Sequence, residues 1–289
     1  MTLAQQPSTI EPFPMVHDTS FPPPAPPPVD LDGISPELTG WEDPAARLHA
    51  SLSNDELQLF AQPVLRLSGK NDFPMAEILV RMREEENKML PPGEFLPVFE
   101  HCRMMPALDR WVVRNVIENL SRPPAKGMTL TVNISSQTIE DMDFLPYVAG
   151  ELVRREVDAK ALCFEIDEID TLARPEPAAR FAATARRFGC RVLIDGFGQR
   201  SVTFHAFTAL QASFVKVDGS IVRRILTTPS AASKLSAIVR VGSVMHIEVI
   251  AECVETQEIL DKLRTLGVGY AQGFGIALPR SVDRRLNAP

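Results

Sequence analysis

Leu162-Cys-Phe-Glu-Ile-Asp-Glu168, Glu176-Pro-Ala-Ala-Arg-Phe-Ala-Ala-Thr-Ala-Arg-Arg-Phe188 and Val192-Leu-Ile-Asp-Gly-Phe-Gly198 follow one another directly along the chain. The outer two are short apolar runs that break into carboxylates where they end, as buried strands do when their tips meet something polar. The middle one repeats its apolar residues at helical spacing, and Gly189 follows it as a C-terminal stop. Two strands separated by a helix of that length run parallel. The stretch therefore reads as one strand, helix, strand unit of an α/β fold.

The same unit recurs in both directions. Apolar segments with polar ends stand at Met75-Ala-Glu77-Ile-Leu-Val-Arg81, Leu130-Thr-Val-Asn133-Ile-Ser135, Phe214-Val-Lys216-Val-Asp218, Val249-Ile-Ala-Glu252-Cys-Val-Glu255 and Tyr270-Ala-Gln272-Gly-Phe274. Amphipathic helical stretches lie between them, at 108–120, 144–154, 233–242 and 256–266, with Gly267 closing the last. Repetition over some 240 residues predicts a parallel sheet closed into a barrel, in which reactive groups gather at the C-terminal strand ends. The polar residues fall there. Glu77, Asn133, Glu165, Asp195, Lys216, Glu252 and Gln272 have no reason to end buried strands unless they meet charge, which points to a shared metal and phosphate site.

Leu59-Phe-Ala-Gln-Pro-Val-Leu65 is also strand-like, yet only Arg66 to Pro74 separate it from the segment at Met75. Nine residues cannot hold a crossover helix, so the first strand is predicted to be antiparallel to the second.

Residues 1–45 are a different material, with Phe21-Pro-Pro-Pro-Ala-Pro-Pro-Pro28 at their centre. Consecutive prolines remove donors and favour polyproline II, which predicts a disordered proline-rich tail that serves as a spacer or as a ligand for a protein partner. Residues 50–286 form the predicted barrel domain. The net charge of −7 excludes broad attraction to DNA or anionic membranes. No apolar run reaches transmembrane length, no basic-then-apolar leader opens the chain, and Cys102, Cys163, Cys190 and Cys253 show neither CxxC spacing nor a histidine partner. A cytoplasmic protein with free thiols is the expectation.

Single residues admit plainer readings. Any one strand-end glutamate is as well explained as a solvated carboxylate, and only the set of seven argues for a site. Lys216 has a second chemical reading as a Schiff-base lysine, against which its acidic surroundings argue by keeping the amine charged. Asp218, before Gly219-Ser220, is predicted to start a helix. The five histidines read as structural or solvated.

These strand ends, in this order, resemble the EAL family of cyclic di-GMP phosphodiesterases over roughly residues 52–285. The resemblance rests on Gln62-Pro63, Glu77-Ile78-Leu79 with Arg81, Pro92-Gly93-Glu94-Phe95, Asn133 with Ser135, Glu165 with Glu168, Asp195, Lys216, Glu252 with Glu255, and Gln272-Gly273. It implies a (β/α)8 TIM-like barrel whose first strand is reversed and antiparallel, two Mg2+ or Mn2+ ions as cofactor, and cyclic di-GMP as ligand, with pGpG as product. It further implies that Glu77, Asn133, Glu165 and Asp195 ligate one metal and that Lys216 and Glu252 serve the reaction. Gln62, Leu79, Arg81 and Gln272 would line the nucleotide's bed, and Glu168 and Glu255 would anchor a loop.

The sequence departs from the family where the fifth strand, counting the reversed first one, usually ends in two aspartates. Here the pair is Asp195-Gly196, and the loop that follows reads Gly198-Gln-Arg-Ser-Val-Thr-Phe204. Glycine offers no ligand atom, so a second metal loses a donor. Asp167 is the one candidate replacement, although its position beyond the strand end argues against it. Cys253 and Ile78 replace the usual glycine and alanine. The expected function is binding of cyclic di-GMP with weak or no hydrolysis. An active phosphodiesterase and a nucleotide-independent interaction module are the alternatives; a protein partner would meet the proline-rich tail or a surface helix, and a homodimer is an open expectation.

Overall fold

The computed structural model describes residues 41–54, 56–83, 89–123, 125, 127–199 and 205–282. The proline-rich stretch predicted to be a tail lies outside them up to residue 40, as does the altered loop from Arg200 to Phe204.

Among the described residues, ten strands form one sheet: β1 (Leu57–Arg66), β2 (Met75–Arg83), β3 (Met89–Leu90), β4 (Thr129–Asn133), β5 (Leu162–Asp167), β6 (Arg191–Phe197), β7 (Phe214–Val217), β8 (Glu248–Ala251), β9 (Tyr270–Ala271) and β10 (Arg280–Ser281). The order β1-β2-β4-β5-β6-β7-β8-β9 closes on itself, because β1 pairs with both β2 and β9. From β2 to β9 the neighbours around the ring run parallel. Strand β1 is antiparallel to both its neighbours, so the reversed first strand read from the nine-residue connection is present. Strands β3 and β10 are short antiparallel additions to β2 and β1.

The helices are α1 (Pro44–Ser53), α2 (Pro92–His101), α3 (Met105–Leu120), α4 (Ser136–Ile139), α5 (Phe144–Arg154), α6 (Glu168–Ala173), α7 (Pro175–Arg187), α8 (His205–Leu210), α9 (Gly219–Val222), α10 (Pro229–Met245) and α11 (Gln257–Thr265). Their ends follow local chemistry. The Asp43 side chain caps α1, whose first residue is the proline tolerated there. Thr256 caps α11 through a 3.3 Å bond from the Ile259 N–H, and Asp218 starts α9 by accepting from the Ser220 N–H at 2.8 Å. Helix α1 buries Leu48 in the main core, so the described core includes a residue before position 50.

Strand parity divides the core in two. Residues pointing outward pack under the helices, as where Phe164 on β5 meets Phe144 of α5 and Phe181 of α7 with ring centroids 6.1 and 5.6 Å away. Residues pointing inward plug the barrel: Val64, Met75, Cys163, Leu193, Phe214 and Ile250, with Tyr270 against them, form a separate apolar cluster. Each buried apolar side chain of this size contributes about 1.5 to 3 kcal/mol. The plug also fixes what lies above it, since the next inward residue is two positions on.

Candidate functional site

Counting two residues up from the plug gives Glu77 from Met75, Glu165 from Cys163, Asp195 from Leu193, Lys216 from Phe214, Glu252 from Ile250 and Gln272 from Tyr270. On the reversed β1 the count runs backwards, from Val64 to Gln62, and Gln62 faces Glu77 across the β1–β2 ladder. A polar layer thus covers an apolar one at the C-terminal mouth of the barrel.

Lys216 stands at the centre of that layer. Its ammonium lies 2.5 Å from Glu165 Oε2, 3.0 Å from Glu77 Oε2 and 3.4 Å from Asp195 Oδ1, with the lysine side chain only 2% exposed. Glu77 also accepts from Asn133 Nδ2 at 3.1 Å and from Gln272 Nε2 at 2.7 Å. The Gln272 amide reaches Gln62 Oε1 at 3.1 Å, and Gln62 donates to the Ala277 carbonyl at 3.2 Å. Asp195 Oδ1 takes the Gly196 N–H at 2.8 Å, and Glu252 takes the Gly219 N–H at 2.7 Å. Polar groups from β1, β2, β4, β5, β6, β7 and the segments after β8 and β9 therefore converge.

One ammonium among three carboxylates sets the titration. Burial disfavours the charged amine of Lys216, but Asp195, Glu165 and Glu77 outweigh it and push its pKa well above the usual value. A Schiff-base role, which needs a neutral amine, does not suit it. Burial and the charge of Glu77 raise Glu165 to about 8, against the pull of Lys216. Burial acts to raise Glu77 too, yet Lys216 and the two amide donors leave it below the ordinary range. The fully buried Glu165 is the carboxylate of the set that holds a proton most readily. Burial, with Asp195 adding, raises Glu252 to about 7.

The remaining predicted residues fall around this ring. Leu79 and Arg81 follow Glu77 on the same face of β2, half-buried, and Arg81 Nη1 donates to the Val80 carbonyl at 3.2 Å. Glu168, the first residue of α6, is buried and accepts the Gly198 N–H at 3.0 Å, tying the end of β6 to α6. Glu255 is exposed; its backbone packs on Gly275.

Two contributors escaped the reading of the sequence. Thr131, the inward residue before Asn133, donates its hydroxyl to Glu165 Oε1. Asp109 on α3 is buried and accepts from Ser135 N–H at 3.1 Å and Ser135 Oγ at 2.9 Å, bracing the turn that carries Asn133. Parity would have found Thr131; nothing local marks Asp109 apart from an acid on an otherwise apolar helix face.

At the two departures the backbone is unusual. Gly196 has φ +63°, and an added Cβ there would lie 3.5 Å from Asp167 Oδ2. Cys253, just past β8, also adopts a left-handed φ of +56° and packs against Gly219.

Glu77, Asn133, Glu165 and Asp195 offer hard oxygen donors of the kind Mg2+ and Mn2+ take. Gln272 adds a buried Oε1 with no hydrogen-bond partner, an acceptor left available in the same layer. Among the described residues no three Asp, Glu, His or Cys already surround an open centre; the Lys216 ammonium holds that middle. The donor types fit a hard divalent cation.

Comparison with known proteins agrees with this geometry. The EAL domain family matches residues 45–279. The chain is 28% identical over 238 residues to cyclic di-GMP phosphodiesterase PdeB of Shewanella oneidensis, covering 82% of this chain and 28% of that protein. It is also 28% identical over 243 residues to cyclic di-GMP phosphodiesterase PdeF of Escherichia coli, covering 83% and 32%. The match thus spans about a third of the length of these relatives. The FimX EAL domain of Pseudomonas aeruginosa, solved bound to c-di-GMP, superposes with a TM-score of 0.77 at 27% identity, over 82% of this chain and 96% of that one. The chain belongs to the EAL domain family.

Proposed function

We propose that this barrel binds cyclic di-GMP at the mouth formed by Glu77, Glu165, Asp195, Lys216 and Gln272, and hydrolyses it weakly or not at all. The observation that carries the reading is the pairing of a nearly complete polar ring with a glycine at position 196, where no side chain reaches the ring. Arg81 and the Lys216 ammonium suit phosphate oxygens, the first through planar paired donors and the second as a point charge. Leu79 and the half-exposed Phe274 offer apolar surface for guanine. Glu77, Asn133, Glu165 and Asp195 would hold Mg2+ or Mn2+. A divalent cation bound there supplies Lewis-acid stabilisation of charge on a phosphoryl oxygen.

Within the chain's own residues, Lys216 fixes the positions of three carboxylates at once, and Gln272 and Asn133 hold Glu77 from either side. Binding thus relies on groups that are all present. Loss of one strong electrostatic group from such a site typically lowers turnover by about 100- to 1000-fold. The test pairs calorimetry of cyclic di-GMP in Ca2+ with hydrolysis assays in Mg2+ and in Mn2+. Micromolar binding with turnover depressed by that factor against an intact relative is the expected result. Turnover equal to the relative's makes the chain an ordinary phosphodiesterase, and no binding leaves a protein-interaction module.

A further inference from the structure

The opposite end of the barrel, where the parallel strands begin, is hollow. A cavity of about 730 Å³ opens there among the feet of β6, β7, β8 and β9, a size typical of small-molecule sites. Phe214 and Tyr270, the lower edge of the apolar plug, stand edge to face with centroids 6.0 Å apart and give the cavity an aromatic wall. Two residues below the plug, the inward positions of β6 and β8 are Arg191 and Glu248, and both line the cavity.

These two charges are held in place but not neutralised. Arg191 Nη1 donates to Thr129 Oγ1 at 2.9 Å, and the guanidinium carbon lies 5.9 Å from the centre of the Phe214 ring, so the fork is steadied from two sides. Among the described residues Arg191 has no carboxylate partner. Glu248 lies across Gly269, where a Cβ would meet Glu248 Oε2 at 2.7 Å. Glycine at 269 thus leaves the carboxylate its place, and Glu248 likewise makes no ion pair among the described residues. Strand β7 stands between β6 and β8, which separates the two backbones by about 10 Å. The charges therefore bracket the aromatic wall instead of pairing with each other.

We propose that this cavity binds a small aromatic zwitterion, with its anion on Arg191, its ring against Phe214 and Tyr270, and its cation on Glu248. The unused guanidinium donors suit a carboxylate, and two rings at right angles favour a third. A purely anionic ligand would face Glu248, and a purely cationic one would face Arg191. None of these groups belongs to the polar ring at the other mouth, so the inference stands apart from the nucleotide reading.

The probe is para-(aminomethyl)benzoate, whose charges stand at opposite ends of one ring; benzoate and benzylamine each lack one of them. Calorimetry on the full chain is expected to show saturable binding of the zwitterion, weakened at least about tenfold by Arg191→Met and by Glu248→Gln, as loss of one charged hydrogen-bond partner implies. Benzoate is expected to weaken only in Arg191→Met, and benzylamine only in Glu248→Gln. Because Glu248→Gln changes charge and not shape at an exposed position, it decides the matter even where Arg191→Met fails to fold. No saturable binding of the zwitterion up to millimolar concentration, or equal affinity in the parent and Glu248→Gln, overturns the proposal. So does benzoate binding as tightly as the zwitterion, since Glu248 would then contribute nothing.

Discussion

Replacing Lys216 by Met would strand Glu77, Glu165 and Asp195 around a buried methyl. Removing one partner of a buried ionic set typically costs about 3 to 5 kcal/mol. Lys216→Met is therefore expected to lose that much in urea denaturation near neutral pH, and less in acid, where the carboxylates protonate. A loss independent of pH would mean that the lysine matters for packing alone. Asp109 makes a converse case, since burial raises its pKa to about 6 despite its bonds to Ser135 and Thr138 and the nearby Arg110. A carboxyl raised by folding binds its proton more tightly folded than unfolded, so its contribution is full in acid and is lost as pH rises from about 4 through about 6. Asp109→Asn keeps an oxygen for both Ser135 donors, so it is expected to raise stability above about pH 7 by up to about 3 kcal/mol and to flatten this part of the pH profile. Lower stability at that pH would show that the charge itself braces the turn. Gly196 tests differently: its left-handed φ makes Gly196→Asp cost about 1 kcal/mol. Beside Asp167 Oδ2 the new carboxylate also meets like charge, so its gain in turnover should be larger when Asp167→Asn is added. Equal gains in both backgrounds would separate the two positions.

At the scale of elements, β9 is only two residues long, yet it sets Gln272 in the ring. It is held by the Gln272 N–H on the Ala251 carbonyl at 2.8 Å and by the Val254 N–H on the Gln272 carbonyl at 3.0 Å. A Cβ on Gly273 would come within 2.2 Å of Val254 backbone atoms, which have no flexible end to yield. Gly273→Ala is thus expected to push the tip of β9 off the loop after β8, costing at least the 1 to 3 kcal/mol of ordinary overpacking, and to weaken cyclic di-GMP binding through Gln272. Unchanged binding in calorimetry would show that Gln272 does not touch the nucleotide. Elements with their own periodicity, such as α5 and α7, were legible because packing one face requires that pattern. Strands β3 and β10 were not, because two residues carry no period and exist only through their partners on β2 and β1. Helix α1 hid beside the proline-rich stretch, although Asp43-Pro44 is a start signal. In the site, alternation along each strand made Glu165 and Lys216 readable, whereas Asp109 reaches Ser135 from another element and no spacing encodes that.

Closure of the whole barrel brings several acidic side chains to one mouth. Glu77, Glu165, Asp195, Asp167 and Glu252 line it, and Lys216 is the amine among them. The sequence's net charge of −7 warned of an acidic protein, but only the ring of strands shows where the excess gathers. Two of these groups, Glu165 at about 8 and Glu252 at about 7, hold protons above the ordinary carboxylate range, chiefly through burial. Because the folded state binds these protons more tightly, their stabilisation is complete below about pH 4 and is lost as pH rises through about 7 to 8. A divalent cation acts in the opposite sense, competing with those protons and binding best once they leave. The metal-free protein is therefore expected to lose stability between about pH 5 and about pH 8, while Mg2+ or Mn2+ restores it. At a concentration about 100 times its dissociation constant the cation adds about 2.7 kcal/mol. Melting curves with and without the cation across that range measure the effect directly. The gap between the curves should widen as pH rises; a gap that is constant, or wider in acid, would place the cation away from Glu165 and Glu252.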